Sequence, residues 1–277
     1  MKHNICSDSN SFLVVLSVVC FFYFAVLPGF LSAQETDPQQ ERFEWMPKKN
    51  VLVSFTDFYC SFFISETNKF PVRVEGAYNE EEQMLLRDGD VLYVNRGKDY
   101  GFVEGQILVA VEIKERIGSP GKRGRSGFLA VKNGLVRIFD IGEKISKAKV
   151  ERACSPVHVG DFLLSYQEFD EIRGDDLGYN ISEDKIGDVR GQVFYLQNDM
   201  VQLGPGNRGI IDLGREDGLS IGDQIIAFHE KKRLEPFANL VVIDVQPKTA
   251  TIKVLSEKDA VRKGDLVAVR KSETQSR

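Results

Sequence analysis

Histidine, cysteine and tryptophan are scarce in this chain, which has three histidines, four cysteines and one tryptophan among 277 residues. A zinc site needs three or four clustered ligands, and a nucleophilic triad needs a Ser or Cys beside a placed base. Neither His158 nor His229 has a second histidine near it in the sequence. No H-E-x-x-H or Walker sequence is present. We therefore expect no metal, no cofactor and no enzymatic activity.

An excess of positive charge is also missing. The chain has 36 lysines and arginines against 41 acidic residues, for a formal net charge of −5. Proteins that bind nucleic acid present a clustered basic face, so a nucleic-acid partner is not expected. The hydrophobic fraction of 42% is sufficient for packed cores.

Long apolar runs are confined to the beginning of the chain. Residues 12–27 are apolar or small, Pro28 ends the run, and Ala33 supplies the small residue that signal peptidase prefers. The pattern predicts a signal peptide over residues 1–33 and a periplasmic or outer-envelope location. The alternative is an uncleaved anchor, which would be the chain's only contact with a membrane. An N-terminal segment, residues 34–70, follows.

Two cysteines, Cys60 and Cys154, remain after the expected cleavage. An exported protein can keep a disulfide, and one pair is the minimum that this requires. The alternative is two buried thiols that pack as small hydrophobic side chains. The spacing of the two cysteines in the sequence does not decide between a disulfide and two buried thiols.

An internal repeat dominates the rest of the sequence. Residues 93–111, "YVNRGKDYGFVEGQILVAV", align with residues 211–228, "IDLGREDGLSIGDQIIAF". The second halves of the repeats also align, and the offset falls from 117 to 104 residues because the first copy carries about thirteen extra residues. The aligned glycines are Gly97 with Gly214, Gly101 with Gly218, and Gly105 with Gly222.

The repeat indicates what its acidic residues do. The glycines and apolar positions recur between the copies, whereas most of the acids around the glycines do not, which is unlike a calcium loop with oxygen ligands at fixed offsets. Gly-Asp pairs precede short apolar runs throughout the chain. We interpret them as turns in which glycine supplies the backbone freedom and aspartate bonds nearby N–H groups. These aspartates are Asp90, Asp161, Asp223 and Asp265.

Short β-prone runs separated by turn signals predict an all-β protein. About five strands per repeat favour two tandem small β-barrels of SH3- or OB-like size, over residues 71–167 and 196–277. Residues 168–195 are rich in acids and glycine and predict an acidic linker. Residues 51–64, "VLVSFTDFYCSFFI", are expected to form a strand buried on both faces, or else a partner-binding surface.

The extra residues of the first repeat form the most basic stretch of the chain. Its cations are Lys114, Arg116, Lys122, Arg123 and Arg125. A basic loop of this kind can contact an anionic glycan, a lipid headgroup or an acidic partner. The alternative is a solvated loop without a partner.

The repeats carry a resemblance. Residues 71–106 and 201–224, with their "G…GL/V…GD" pattern, resemble exported bacterial proteins in which tandem β-domains often follow a LysM module. They are also similar to the C-terminal domain of flagellar assembly protein T. The resemblance implies a non-enzymatic scaffold or accessory protein that makes protein–protein contacts in an envelope assembly, with a flagellar or other appendage as one setting. Residues 34–70 lack the LysM pattern. A peptidoglycan- or polyanion-binding module that uses the basic loop is the alternative.

Overall fold

The structure is a computed structural model that describes residues 50–78, 84–118, 125–230 and 233–271. These residues belong to one compact unit, Lys48–Arg277. The predicted signal peptide lies outside the described residues, as do Lys122 and Arg123 of the basic loop. Within the described part, no helix has the length and apolar character needed to cross a membrane.

The described residues form seventeen strands and one short α-helix, so the all-β prediction is confirmed. The helix is α1, Phe55–Tyr59. The strands are β1 (Asn50–Val53), β2 (Phe62–Ser65), β3 (Val74–Ala77), β4 (Leu85–Leu86), β5 (Val91–Val94), β6 (Ile107–Gly118), β7 (Ser126–Ile141), β8 (Ser146–Ala153), β9 (Val157–His158), β10 (Phe162–Ser165), β11 (Ile172–Gly174), β12 (Ile186–Leu196), β13 (Arg208–Ile211), β14 (Gln224–Glu230), β15 (Leu234–Val245), β16 (Ala250–Glu257) and β17 (Leu266–Arg270).

The second repeat closes into a six-stranded antiparallel barrel of order β12-β13-β16-β15-β14-β17. The first and last strands of the barrel pair directly, as where Arg190 faces Ala268. Closure leaves no free sheet edge within the barrel. The interior is filled by buried aliphatic side chains that include Ile225, Leu240 and Ile252.

The first repeat has the same strand order. Its sheet runs β3-β5-β8-β7-β6-β10, and β2 adds a seventh strand beside β7. The two ends of the sheet meet at an isolated bridge between Arg73 and Phe162. Two backbone hydrogen bonds flank the bridge, from Val74 N to Asp161 O at 2.8 Å and from Leu163 N to Val72 O at 2.9 Å. The short pair β4-β9 recurs in the second repeat as the bridge between Leu203 and Val261.

The domain limits differ from those expected. Strand β12 begins at Ile186, inside the predicted linker 168–195, so the barrel starts ten residues before position 196. Strand β11 also lies in that segment, where it pairs with β1. The extra residues of the first repeat lengthen the β6–β7 hairpin, which we call the arm. The arm comprises residues 112–118 and 125–131.

The apolar segment 51–64 forms three elements, so the prediction of a single strand was wrong. Ser54 ends β1 and caps α1, since its Oγ accepts a hydrogen bond from Asp57 N at 3.3 Å and Asp57 Oδ2 accepts one from Ser54 N at 2.9 Å. This reciprocal capping box begins a helix where β-propensity alone predicts a strand. The segment is nevertheless buried, because Val53 packs against Ile243 of the barrel and Phe62 against Leu129 and Phe194.

Cys60 and Cys154 form a disulfide with a Cα–Cα distance of 5.5 Å. The bond joins the end of α1 to the residue after β8, across 94 residues of chain. It therefore ties the N-terminal segment to the sheet of the first repeat.

Candidate functional site

The repeated aspartates lie in turns and bond the backbone. Asp90, Asp161, Asp223 and Asp265 each accept a hydrogen bond from the N–H three residues earlier, at 2.7–2.9 Å. The glycine before each aspartate has φ between +89° and +100°, a region that other residues rarely adopt. Asp161 is buried, which raises the pKa of its carboxyl, while hydrogen bonds from His158 N and Asn133 oppose that shift. These four carboxylates support turns.

The aligned glycines have two different roles. Gly101, Gly105, Gly218 and Gly222 have positive φ in turns of the two repeats. Gly97 and Gly214 instead lie against backbone: a Cβ on Gly214 would stand 2.5 Å from Thr249 N, and one on Gly97 would stand 2.4 Å from Glu143 O. In both repeats this close approach holds the loop against the next hairpin.

Residues 218–222 read Gly-Leu-Ser-Ile-Gly, which matches the G-x-S-x-G spelling of a nucleophile elbow. That motif places its serine on a sharp turn between a strand and a helix. Here the stretch follows a short 3-10 turn and leads into strand β14. Ser220 is exposed, and its N–H bonds Asp223 in the turn described above. The local fold is not that of a serine nucleophile.

Each of the two histidines lies near a single aspartate. His158 Nδ1 lies 3.7 Å from the turn carboxylate of Asp161, and His229 Nε2 lies 3.8 Å from Asp259. The His229 ring stacks on Phe237 at 4.2 Å between centroids. Among the described residues, no group of three or more His, Cys, Asp or Glu side chains has the arrangement of a metal site.

The arm places the three described cations of the basic loop in different surroundings. Lys114 and Arg116 are exposed; Lys114 Nζ lies 3.7 Å from Glu112, and Arg116 lies over the ring of Phe128. Arg125 instead reaches the second repeat. Its guanidinium contacts both carboxylate oxygens of Asp217, at 2.7 and 3.4 Å, and also the carbonyl of Lys248. Arg125 therefore joins the repeats and is not free to bind a polyanion.

A buried ionic cluster fastens α1 to the barrel. Asp57 is only 2% exposed; its Oδ1 lies 2.7 Å from Arg208 Nη2 and its Oδ2 lies 2.5 Å from Lys253 Nζ. Burial alone would raise the pKa of Asp57, but the hydrogen bonds from Lys253 and Arg208 outweigh burial and hold the pKa below its ordinary value of 3.8. All three side chains are occupied with one another, so the cluster is structural.

Further polar contacts join the barrel to the first repeat and to the N-terminal segment. Lys132 Nζ of β7 lies 2.6 Å from Asp244 Oδ2 of β15 and 2.8 Å from the carbonyl of Phe58. Thr251 Oγ1 of β16 donates a 2.5 Å hydrogen bond to the carbonyl of Phe62. The side of the barrel that carries Asp244 and Thr251 is thus covered by the first repeat and the N-terminal segment.

None of the described residues covers the corresponding side of the first repeat. We call it the outer face and define it by Tyr78, Tyr93, Phe139, Asp140, Ile145 and Lys147. Lys147 Nζ lies 2.9 Å from Asp140 Oδ2 and 5.2 Å from the centre of the Tyr78 ring. The rings of Tyr78 and Tyr93 are 5.6 Å apart. The face combines exposed aromatic surface with paired charges.

The register of the strands shows that the outer face of the first repeat and the covered side of the barrel occupy equivalent positions in the two repeats. In the first repeat Asp140 pairs with Lys147, and in the second Asp244 pairs with Thr251, each directly after a bulge at the preceding residue. The bulged residue in the second repeat, Ile243, is 1% exposed, whereas the bulged residue in the first, Phe139, is 42% exposed. The same β-surface is therefore buried in one repeat and open in the other.

A groove of about 480 Å³ borders the outer face. It is lined by Asn95, Arg96, Gly97, Asp99, Tyr100, Glu143 and Lys144. By the repeat alignment, Tyr100 corresponds to Asp217 and Lys144 to Lys248, which are the residues that Arg125 contacts in the second repeat. The groove is thus the counterpart of the place where the arm docks.

Two other grooves have mixed linings. One of about 570 Å³ contains Arg137, whose guanidinium is paired with Glu151. Another, of about 850 Å³, contains Lys185, Arg270 and Lys271 beside Leu177 and Ile181. Neither groove brings together a nucleophile and a base.

No family model matches the chain, and no curated protein matches its sequence.

Sequence reasoning missed the Asp57 cluster and the outer face. The Ser-x-x-Asp spacing at Ser54 and Asp57 is a capping-box signal that indicates α1, but nothing in the sequence links Asp57 to Arg208. The outer face had a signal in the repeat alignment, where Phe139 falls on Ile243 and Ile145 on Thr249. At the position of Phe139 and Ile243 an apolar residue recurs in both copies, and such a residue is easily assigned to the core in both.

Proposed function

We propose that the protein is a non-enzymatic scaffold or accessory protein that acts through protein–protein contacts in an assembly of the cell envelope. In this proposal the two repeats are tandem barrels of one kind, exported by the N-terminal signal peptide. The common strand order of the repeats and the bridge between Arg73 and Phe162 support the tandem-barrel part. A flagellar or other appendage complex is the setting that the resemblance of the repeats favours.

The observation that carries this proposal is the outer face. In the second repeat the equivalent surface packs against other parts of the same chain. It makes apolar contacts with Val53 and Phe58 and an ionic contact with Lys132. In the first repeat, large apolar residues at the same positions are exposed. A contiguous exposed apolar patch with a polar rim is typical of an interaction site.

Photo-crosslinking in the producing cell tests the proposal. A photoreactive amino acid at Phe139 should form covalent adducts with protein, whereas the same amino acid at Val201, which is 86% exposed on the second repeat, should not. Equal adduct formation at the two positions, or none at either, would count against the outer face as a contact site. Fractionation of the cell tests the expected envelope location separately.

The second candidate is a peptidoglycan- or polyanion-binding module. The exposed positions of Lys114 and Arg116 on the arm favour it. Co-sedimentation with purified peptidoglycan sacculi tests this candidate, with Lys114→Ala/Arg116→Ala as the variant that should stay in the supernatant. Arg125 is left unchanged because its loss would disturb the contact with Asp217. If the parent protein also stays in the supernatant, direct wall binding is excluded.

A further inference from the structure

We propose that the outer face is a self-association surface, on which a second copy of the chain docks about a twofold axis. The inference rests on the proposed function and deepens it, because it names the partner at that surface. It begins from the exposed apolar residues. Tyr78, Tyr100, Phe139 and Ile145 are each between 42% and 48% exposed, and they surround the Lys147–Asp140 pair and the groove that borders it.

Single exposed hydrophobic residues are ordinary on protein surfaces, whereas here four of them lie on the outer face and its groove. The second repeat shows how such a surface is used within this chain. There Ile243 packs beneath Leu52, Val53 and Phe58, and Thr249, the counterpart of Ile145, is only 3% exposed. The barrel surface of this protein is therefore able to form a dry contact at these positions.

The charges around the outer face point to a second copy as its occupant. Among the described residues, the face and its groove carry four cations and three acids, namely Arg96, Lys98, Lys144, Lys147, Asp99, Asp140 and Glu143. Neither sign dominates these described side chains, as one sign would for a strongly acidic or strongly basic partner. A twofold interface instead requires a patch that is complementary to itself.

Lys147 and Asp140 supply that complementarity. They lie 2.9 Å apart and are partly exposed, so each can also bond the opposite residue of a second copy across a twofold axis. Lys98 and Glu143, 2.6 Å apart at the edge of the groove, repeat this arrangement. The aromatic rings of Tyr78 and Phe139 would form the apolar centre of the contact, where aromatic residues contribute most to interface affinity.

Sedimentation velocity on the purified full chain tests the inference. The parent protein should show a mass that doubles as its concentration rises. Phe139→Glu combined with Ile145→Glu should weaken the dimer about a hundredfold, because two charges would be buried without partners at the contact. The matched control is Val201→Glu, a charge placed on the most exposed apolar residue of the second repeat, which should leave the dimer unchanged.

A charge-reversal pair makes the test specific to this surface. Lys147→Glu leaves two acids facing two acids across the axis, and Asp140→Lys leaves two cations facing two cations, so each variant alone should be monomeric. An equimolar mixture of the two should recover a heterodimer, because each face then meets the opposite charge. Circular dichroism establishes that both variants are folded, which the partly exposed positions of Lys147 and Asp140 should permit.

Three results would overturn the inference. One is a parent protein that stays monomeric at every concentration, and a second is a dimer that tolerates Phe139→Glu/Ile145→Glu. The third is a crosslink from position 139 to residues before 50 of the same molecule, which would assign the face to the chain's own N-terminal segment. Crosslinks from position 139 to a different envelope protein, with a monomeric parent, would sustain the proposed function while excluding self-association.

Discussion

Arg208 Nη2 lies 2.7 Å from Oδ1 of Asp57, although 151 residues separate the two in the chain. Lys253 closes the same cluster from the neighbouring strand, so a helix of five residues is held to the barrel by two cations. A buried carboxylate of this kind is tolerated only because it is paired. The contact between the N-terminal segment and the second repeat therefore depends strongly on one side chain.

Replacement of Asp57 by Asn should lower the free energy of unfolding by about 3–5 kcal/mol, because it leaves two cations without their buried counter-charge. Urea unfolding followed by circular dichroism measures the loss. Asp140→Asn is the matched control, since it removes an exposed carboxylate that pairs with Lys147. A loss at Asp57 no greater than that of the control would contradict the account of the cluster.

The same carboxyl predicts a pH dependence. Because the folded-state pKa of Asp57 is held below 3.8, its contribution to stability is complete above the unfolded-state pKa and is lost as the pH falls through the folded-state pKa. The free energy of unfolding of the parent should therefore decline below about pH 4 more steeply than that of Asp57→Asn. Unfolding curves from pH 6 down to about pH 3 measure the difference in slope. Parallel slopes would show that Asp57 is not held ionised in the fold.

The arm contact should be measurable as a coupling energy. Asp217 also accepts a hydrogen bond from Gly214 N at 2.9 Å, so Asp217→Asn alone would change two contacts. A double-mutant cycle with Arg125→Ala separates them, and we expect about 1–2 kcal/mol of coupling for this partly buried pair. A coupling energy near zero would show that Arg125 does not join the repeats.

The disulfide should contribute substantially to stability. Closing 94 residues of chain between Cys60 and Cys154 restricts the unfolded state, and such a loop is worth about 2–5 kcal/mol. Cys60→Ala/Cys154→Ala should lose that amount, and reducing the parent protein should produce a comparable loss. The stability of the double variant should not change when the reductant is added. If it falls, the reductant acts at a site other than this disulfide.

The two kinds of repeat glycine should respond differently to alanine. Gly214→Ala should cost about 3 kcal/mol because its Cβ would press on the backbone of residues 246–249, which cannot yield as a side chain can. Gly218→Ala should cost about 1 kcal/mol, since a Cβ there meets nothing within 4 Å and only the positive φ of +88° opposes it. Thermal unfolding of the two variants compares them directly. An equal cost at both sites would show that the close approach at Gly214 is relieved by movement of the hairpin.

The strands that recur in the repeats could be predicted from the sequence because alternating apolar residues and turn glycines are local signals. Strand β14 begins directly after Gly222-Asp223 and strand β17 directly after Gly264-Asp265, where the Gly-Asp pairs indicated the starts of short apolar runs. Strand β12 was hidden because Asp188 and Arg190 sit among its apolar residues, as in an acidic linker. The partners of Asp57 and Arg125 could not be predicted, since each depends on how two distant parts of the chain pack.

The N-terminal segment also dictates an order of events. Residues 50–65 leave the ribosome well before their partners Phe194, Ile210 and Lys253 are made. Contacts separated by 150 to 200 residues close late in folding, because loop entropy must be overcome first. The first repeat can acquire its sheet while synthesis continues, but the joint between the repeats must wait for nearly the whole chain. Until then the side chains of Leu52, Val53 and Phe58 lack the barrel residues against which they pack, which gives a chaperone time to bind them.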